Sequence, residues 1–302
     1  MPSRRYVVAD VFTQHPHGGN QLAVVLDSEG LTTAQMLAIT REFNFAETTF
    51  VLPPDDRAHT ARVRIFTTAG EVPFAGHPNV GTAFVLARMG EVFGRRIGDT
   101  ALFEELAGIV PVSIQREQGV VKGATLTAPE PLRLGETFEV AAIAACLRLD
   151  PADVLLDRHA PREASVGLPF VMVELTDVEA LGRIRLDADA SCTLLEKHPA
   201  RGMYVYARVA SATNARLRAR TFCPLLGAAE DAATGSANAA LAGLLASLDP
   251  ATDGQFHFEV TQGVEMGRPS QLKLTAQKAG GVITAQVGGA CVSLMHGVLD
   301  VD

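Results

Sequence analysis

The 302-residue sequence contains no GxGxxG fingerprint, no GK[ST] phosphate loop, no HExxH and no CxxC pair. The first two absences remove the common backbone cradles for dinucleotides and nucleoside triphosphates. The last two remove the local spacings that hold zinc or a redox dithiol. Cysteine is sparse as well. Cys146, Cys192, Cys223 and Cys291 lie far apart, which reads as structural thiols in a reducing, cytoplasmic setting. Positive charge is in deficit: 26 basic against 34 acidic residues give a formal charge of −8, and the basic residues are scattered. Nucleic acid and anionic membrane both call for clustered positive charge, so neither is the expected partner. Long apolar runs are missing too. The longest apolar helical stretch, around 237–246, is too short to span a bilayer. Asp10 interrupts any apolar run behind Arg4 and Arg5, so no signal peptide is expected. His15 and His17 stand in the turn-rich stretch 15–20 with no acidic or cysteine partner nearby, and no metal is expected there.

What the chain does have is internal repetition. Its length fits two domains of about 150 residues each, and 47% hydrophobic residues supply ample core. Residues 71–87 (EVPFAGHPNVGTAFVLA) align without a gap to residues 230–246 (EDAATGSANAALAGLLA), sharing Glu71/Glu230, Gly76/Gly235, Asn79/Asn238, Leu86/Leu245 and Ala87/Ala246. Each block follows a β-type run with Arg and Phe two apart, Arg64-Ile65-Phe66 and Arg220-Thr221-Phe222. A weaker echo links Gly19-Asn20-Gln21-Leu22 to Gly167-Leu168-Pro169-Phe170.

Periodicity and turn residues predict strands at 5–12, 22–26, 48–52, 61–67, 109–115, 120–127, 171–175, 203–209 and 216–222. A helix capped by Thr32 or Thr33 is expected to run to about Phe43. A second is expected around Ala141, Ile143 and Ala144, and Ala128-Pro129-Glu130-Pro131 reads as a linker. Each half is then mostly strand with one helix apolar on every side. Such a helix cannot lie on a surface, and a curled sheet is the simplest wrapper. The expected class is α+β, with two pseudo-symmetric domains, each a curled, barrel-like mixed sheet around a central apolar helix. The first half is expected to span 1–118, completed by 288–302, and the second 119–287.

Candidate chemistry gathers at the two helix starts. Gly76-His77-Pro78 opens the first, with Pro78 read as the first helical residue and His77 as the cap. Thr234-Gly235-Ser236 opens the second, with Asp231 just before it. Amides at a helix start, together with the dipole, favour a carboxylate or an enolate-like oxygen. Thr234 and Ser236 as plain caps, and His77 as a structural histidine, are the simpler readings of either helix alone. Glu47 lies among Phe45, Ala46 and the apolar strand 50–52. Desolvation there would make it a better proton acceptor, and a solvated rim glutamate is the alternative. Arg268, in the glycine-rich 263–269 loop, reads as an anion ligand or as a surface arginine.

These residues form an ordered set. Asp10-Val11-Phe12, Gly19-Asn20, Asn44 through Phe50, Phe74 through Gly81, Glu230 through Ala237, and Gln262-Gly263 through Gly267-Arg268-Pro269 resemble the phenazine-biosynthesis (PhzF-like) isomerase family. The resemblance covers essentially the whole chain. It implies a diaminopimelate-epimerase-like fold, a cofactor-free site in a cleft between the halves, and a homodimer. It implies that Glu47 moves a proton between carbons of a small anionic carboxylate substrate, assisted by His77 and Asp231. Gly76, Gly235, Ser236 and Thr234 would bind that substrate, and neither metal nor cofactor is expected. Ala46 stands where the family often has serine, which removes a hydroxyl beside Glu47. Gln21 and Ala232 replace prolines and touch only backbone. Two other readings stay open. A racemase or epimerase using two thiols would need cysteine where His77 and Ser236 stand, and a non-catalytic binding protein would keep the cleft without the reaction.

Overall fold

The computed structural model describes residues 3–209, 216–226 and 228–301; Met1 and Asp302, the outer bounds expected for the first half, lie outside the described residues. The chain divides into two compact units, Met1–Thr127 with Gly288–Asp302, and Ala128–Val287.

In chain order the first stretch runs β1 (Ser3–Val11), β2 (Asn20–Val25), α1 (Thr33–Phe43), β3 (Glu47–Leu52), β4 (Ala61–Thr67), β5 (Gly70–Val72), α2 (Gly76–Met89), the small hairpin β6 (Glu91–Val92) and β7 (Arg95–Arg96), β8 (Thr100–Glu105), β9 (Gly108–Glu117) and β10 (Val120–Thr127). There follow β11 (Arg133–Thr137), α3 (Val140–Leu147), β12 (Arg162–Ser165), β13 (Pro169–Glu174), α4 (Val178–Arg183), α5 (Ala188–Leu195), β14 (Met203–Arg208), β15 (Arg216–Cys223), β16 (Ala228–Asp231), α6 (Gly235–Ser247), β17 (Gly254–Gln262), β18 (Ser270–Ala279) and β19 (Val282–Asp300).

In the first unit, pairings β1–β2–β3–β4–β8–β9–β10–β19 return to β1 and close a barrel. Helix α2 fills it, with every residue from Gly76 to Ala87 buried. Lacking a polar face, α2 has no stable place on a surface. It packs on β1, β2, β3, β9 and β10. The approach is close at Gly81, where a Cβ would lie 2.5 Å from Leu22 Cδ2 and 2.7 Å from Val11 Cγ2. Outside the sheet, α1 covers Val25, Phe50, Leu52 and Phe66 through Met36. Its start is the expected Thr32, which forms a reciprocal capping box with Gln35, and Asn44 ends it in the left-handed region at φ 53°.

The second unit repeats this order. In the first, β1–β2 is antiparallel, β2–β3 parallel, β3–β4 and β4–β5 antiparallel, β4–β8 parallel and β8–β9 antiparallel. In the second, β12–β13, β13–β14, β14–β15, β15–β16, β15–β17 and β17–β18 follow with the same senses. Helix α6 takes the place of α2, buried on all sides and packed on β12, β13, β17 and β18. The outer face carries a second core, built by α3, α4 and α5 on Val171, Val173, Met203, Val205 and Phe222. Helices α4 and α5 escaped the sequence pattern because they are short. Their signal was an aspartate at each N-cap, Asp177 accepting from the Ala180 amide and Asp187 from that of Ala190.

Matched side chains repeat as well. The Arg64 guanidinium donates to both oxygens of Glu71 at 2.7 and 2.6 Å, and lies 5.1 Å over the Phe66 ring. Arg220 does the same with Glu230, at 2.8 Å to each oxygen, and lies 5.0 Å over Phe222. Asn79 Nδ2 donates to the Ala75 carbonyl at 3.1 Å, and Asn238 Nδ2 to that of Thr234 at 2.9 Å. The Arg–Phe–Glu–Asn repeat read in the sequence is thus one physical device used twice: a clasp on the strand that leads into each buried helix.

Candidate active site

The period of a strand puts alternate residues on one face. On β3, Glu47 and Thr49 share the face toward α2. Thr49 Oγ1 lies 2.8 Å from Thr82 Oγ1 of the helix, and Glu47 Oε2 lies 3.6 Å from His77 Nε2. The structure therefore brings Glu47, His77 and Gly76 together. Glu47 is the first residue of β3 rather than a residue before it, and its side chain keeps 20% exposure, against 4% for His77. It is neither a freely solvated rim residue nor a sealed one.

One expectation needs correction. The cap of α2 is Ala75, so Gly76 and His77 are already helical and Pro78 is the third residue. An alanine has no side chain with which to cap, and none does. The His77 ring is thereby turned to its neighbours instead of to the backbone. Asn20 Nδ2 lies 3.4 Å from Nδ1. With that amide donating, the ring proton sits on Nε2, the nitrogen that faces Glu47. Asn20 pairs with Val11 of β1, and in the loop between them the His17 amide donates to buried Asp10 at 2.8 Å. Gly19, at φ +65°, has no room for a Cβ, which would fall 2.3 Å from the Val11 carbonyl oxygen.

In the second unit Thr234 is the N-cap of α6, as expected, but its hydroxyl does not cap. It donates to Asp231 Oδ2 at 2.6 Å. Gln262 braces this loop: its Nε2 donates to Thr221 Oγ1 at 3.0 Å and to the Asp231 carbonyl at 2.9 Å, and its Oε1 accepts from Asn238 Nδ2 at 2.8 Å. The turn after Gln262 requires glycine at 263, since a Cβ there would meet the Ala232 and Arg268 carbonyl oxygens at 2.6 Å each. Asp231, Thr234, Gly235 and Ser236 are thus neighbours on one braced loop and helix start. Ser236 does not cap α6 either. Sequence reasoning quoted Asn20 and Gln262 only inside motifs and assigned them no role, while Tyr204, which donates to Asn238 Oδ1 at 2.7 Å, gave no signal at all.

Register also identifies what stands opposite Glu47 in the repeat. Thr48 pairs with Phe66 and Met203 with Phe222, so the counterpart of Glu47 is Gly202. A Cβ at Gly202 would lie 2.5 Å from the Phe222 carbonyl oxygen and 2.9 Å from Cys223 Sγ. The second unit has no room for an acid at the mirrored position. None of the cysteines lies at either helix start, and Cys291 is a sealed thiol that burial pushes up to about 12. Among the described residues no cluster of three or more His, Cys, Asp or Glu is arranged to hold a metal ion. No helix among them is long and apolar enough to cross a membrane.

Residues 9–297 match the phenazine biosynthesis-like protein family. The chain belongs to that family, and it is an isomerase. It is 41% identical over 99% of both chains to a protein named as an uncharacterized isomerase from Mesorhizobium japonicum. It is 35% identical to trans-2,3-dihydro-3-hydroxyanthranilate isomerase of Pseudomonas aeruginosa, over 97% of this chain and 98% of that one. A crystal structure of a PhzF-family phenazine biosynthesis protein from Bacillus anthracis superposes with a TM-score of 0.88 over 100% of both chains, at 22% identity, which bears on the fold.

Proposed function

We propose that this isomerase moves a proton between two carbons of a small carboxylate-bearing substrate, with Glu47 as the one group that takes and returns it. The observation that supports the reading is the Glu47–His77 approach of 3.6 Å at an uncapped helix start, set against glycine at the matching position 202. In the first step Glu47 accepts a proton from a substrate C–H, and the bonding pair stays on the substrate, spread into its adjoining unsaturation. In the second, the Glu47 acid returns the proton to another carbon and becomes a carboxylate again. Charge and electrons balance without any co-reactant.

His77, its Nε2 proton held toward Glu47 by Asn20, orients that carboxylate and the substrate. A positioned acid–base group contributes about 10²–10⁴-fold, so the amides at Gly76 and Gly235 are assigned the stabilisation of negative charge. Asp231, Thr234 and Ser236 are assigned to substrate binding. The same reading includes a homodimer acting in the cytoplasm without a cofactor. A two-thiol epimerisation finds no support, because His77 and Ser236 stand where its cysteines would be needed.

The test uses the substrate named for the Pseudomonas aeruginosa relative and its dihydro-hydroxy-acid analogues in heavy water. Turnover by the wild-type enzyme should leave less than one solvent deuterium per product, since a single acid returns part of the proton it took. Glu47→Gln should lose at least about 10²-fold in rate. Undiminished turnover by that variant would remove Glu47 from the role.

A further inference from the structure

We infer that Glu105 is a positioning residue for the start of α2, working as an uncharged acid in the place that Gln262 fills at the start of α6. The inference adds a residue to the proposed site and rests on that reading only for its catalytic consequence.

Strand registers give the equivalence. Arg62 pairs with Glu104 on the parallel neighbour β8, and Arg218 pairs with Thr261 on β17. With Arg64 matched to Arg220, Glu104 corresponds to Thr261, and the next residue, Glu105, to Gln262. Each of the two sits beside the asparagine of its buried helix, Asn79 or Asn238. In the second unit the bond is made, at 2.8 Å from Asn238 to Gln262. In the first, the Asn79 amide faces the Glu105 carboxyl, but no bond of normal geometry reaches either buried carboxyl oxygen or Asn79 Oδ1. Asn79 Nδ2 gives one hydrogen to the Ala75 carbonyl and has its second for Glu105, as Asn238 Nδ2 has for Gln262, but Asn79 Oδ1 still lacks a donor. A carboxylate offers none, whereas a carboxylic acid offers one O–H. A small rotation of the protonated Glu105 side chain satisfies both groups at once. The result is a chain Glu105–Asn79–Ala75 that fixes the cap of α2, the residue before Gly76 and His77.

The surroundings favour the neutral form. Burial pushes the Glu105 carboxyl up to about 8, with the Asn79 amide opposing. The charged groups on the adjoining strand β4 are engaged elsewhere, Arg62 with Asp55 and Arg64 with Glu71. On α2 the titratable neighbour is His77, which faces Glu47, and residues 108–110 of β9 carry no charge. Among the described residues, these charged groups are thus engaged away from an ionised Glu105.

Amide hydrogen exchange of the 73–80 segment, read as protection relative to the free peptide, tests this without any substrate. In the wild type, protection of that segment should fall about tenfold or more between pH 7 and pH 9.5, a factor of ten corresponding to ~1.4 kcal/mol, while β1 and β2 keep theirs. Glu105→Gln, isosteric with the acid and matching Gln262, should hold protection within about twofold across the same range. Glu105→Leu should lose it already at pH 7. Wild-type protection that stays level to pH 9.5, or a Glu105→Gln protein that follows the wild-type loss, would overturn the assignment. Failure of the Glu47 experiment would leave this result standing, and the reverse also holds.

Discussion

Arg220 and Arg64 perform one task in two surroundings, so the same substitution should cost different amounts. Both make two charge-assisted bonds to a glutamate, Arg220 at 2.8 and 2.8 Å, Arg64 at 2.7 and 2.6 Å. The Arg220 side chain is 9% exposed and also donates to the Leu181 carbonyl at 2.9 Å, at the end of α4; Arg64 is 24% exposed and adds only Thr33 Oγ1 at 3.0 Å. Arg220→Leu leaves Glu230 nearly buried without its counter-charge and strips the α4 carbonyl of a donor. Breaking a buried pair from one side costs about 3–5 kcal/mol. Glu230 keeps 16% exposure, so the lower end applies. Glu71 is about as exposed, at 19%, but Arg64→Leu removes a more exposed guanidinium and strips no helix carbonyl, so it should cost roughly 1–2 kcal/mol, after discount for screening. Urea unfolding followed by amide exchange of β15 and of β4 lets each unit report its own loss. The Arg220→Leu/Glu230→Leu pair should be milder than Arg220→Leu alone, because the orphaned charge leaves with its partner. Equal costs at 64 and 220, or a double variant no milder than the single, would refute the argument that burial separates the two clasps.

Further expectations concern protonation. Glu105 binds its proton more tightly folded than unfolded, so the stability it contributes is fully present below about pH 4.5 and is lost as pH rises to about 8, at ~1.4 kcal/mol per unit. Urea titrations of wild type against Glu105→Gln should converge at low pH and separate through that window, with the variant the more stable at pH 8. Replacing Asn20 with alanine removes the amide beside His77 Nδ1, and two-dimensional nitrogen–proton spectra of the ring should change from a single Nε2–H form to a mixture of tautomers.

The fold was legible because its signals are repeated and local. Two helices with no polar face announce a wrapped architecture, and the Arg–Phe–Glu–Asn spacing around each reports the clasps and the Asn bond to the cap. Glu47 and His77 were each legible as candidates, and strand period plus helix start bring them to 3.6 Å. The misplaced cap at His77 came from giving Pro78 its commonest position, the first of a helix, when the turn begins two residues earlier at Gly76. Glu105 was illegible for a different reason. Nothing in the run 100–105 distinguishes it from its neighbour Glu104, which bonds His59 instead, and only the pairing of β4 with β8 sets it against Asn79. Gly202 is similar, since its meaning lies in a Cβ that it lacks, seen only when strands are laid in register.

The barrel of the first unit closes through β19, whose residues from Gly288 onward pair with β1. During synthesis that seam stays open until the residues from Gly288 onward are made, whereas the second unit, Ala128–Val287, is contiguous in the chain. The half carrying Glu47 and His77 is thus the last to be finished although it is made first, and α2, apolar all round, must wait in a half-built sheet. Removal of the strand segment 291–300 would open that barrel along β1 without removing a residue of the other unit.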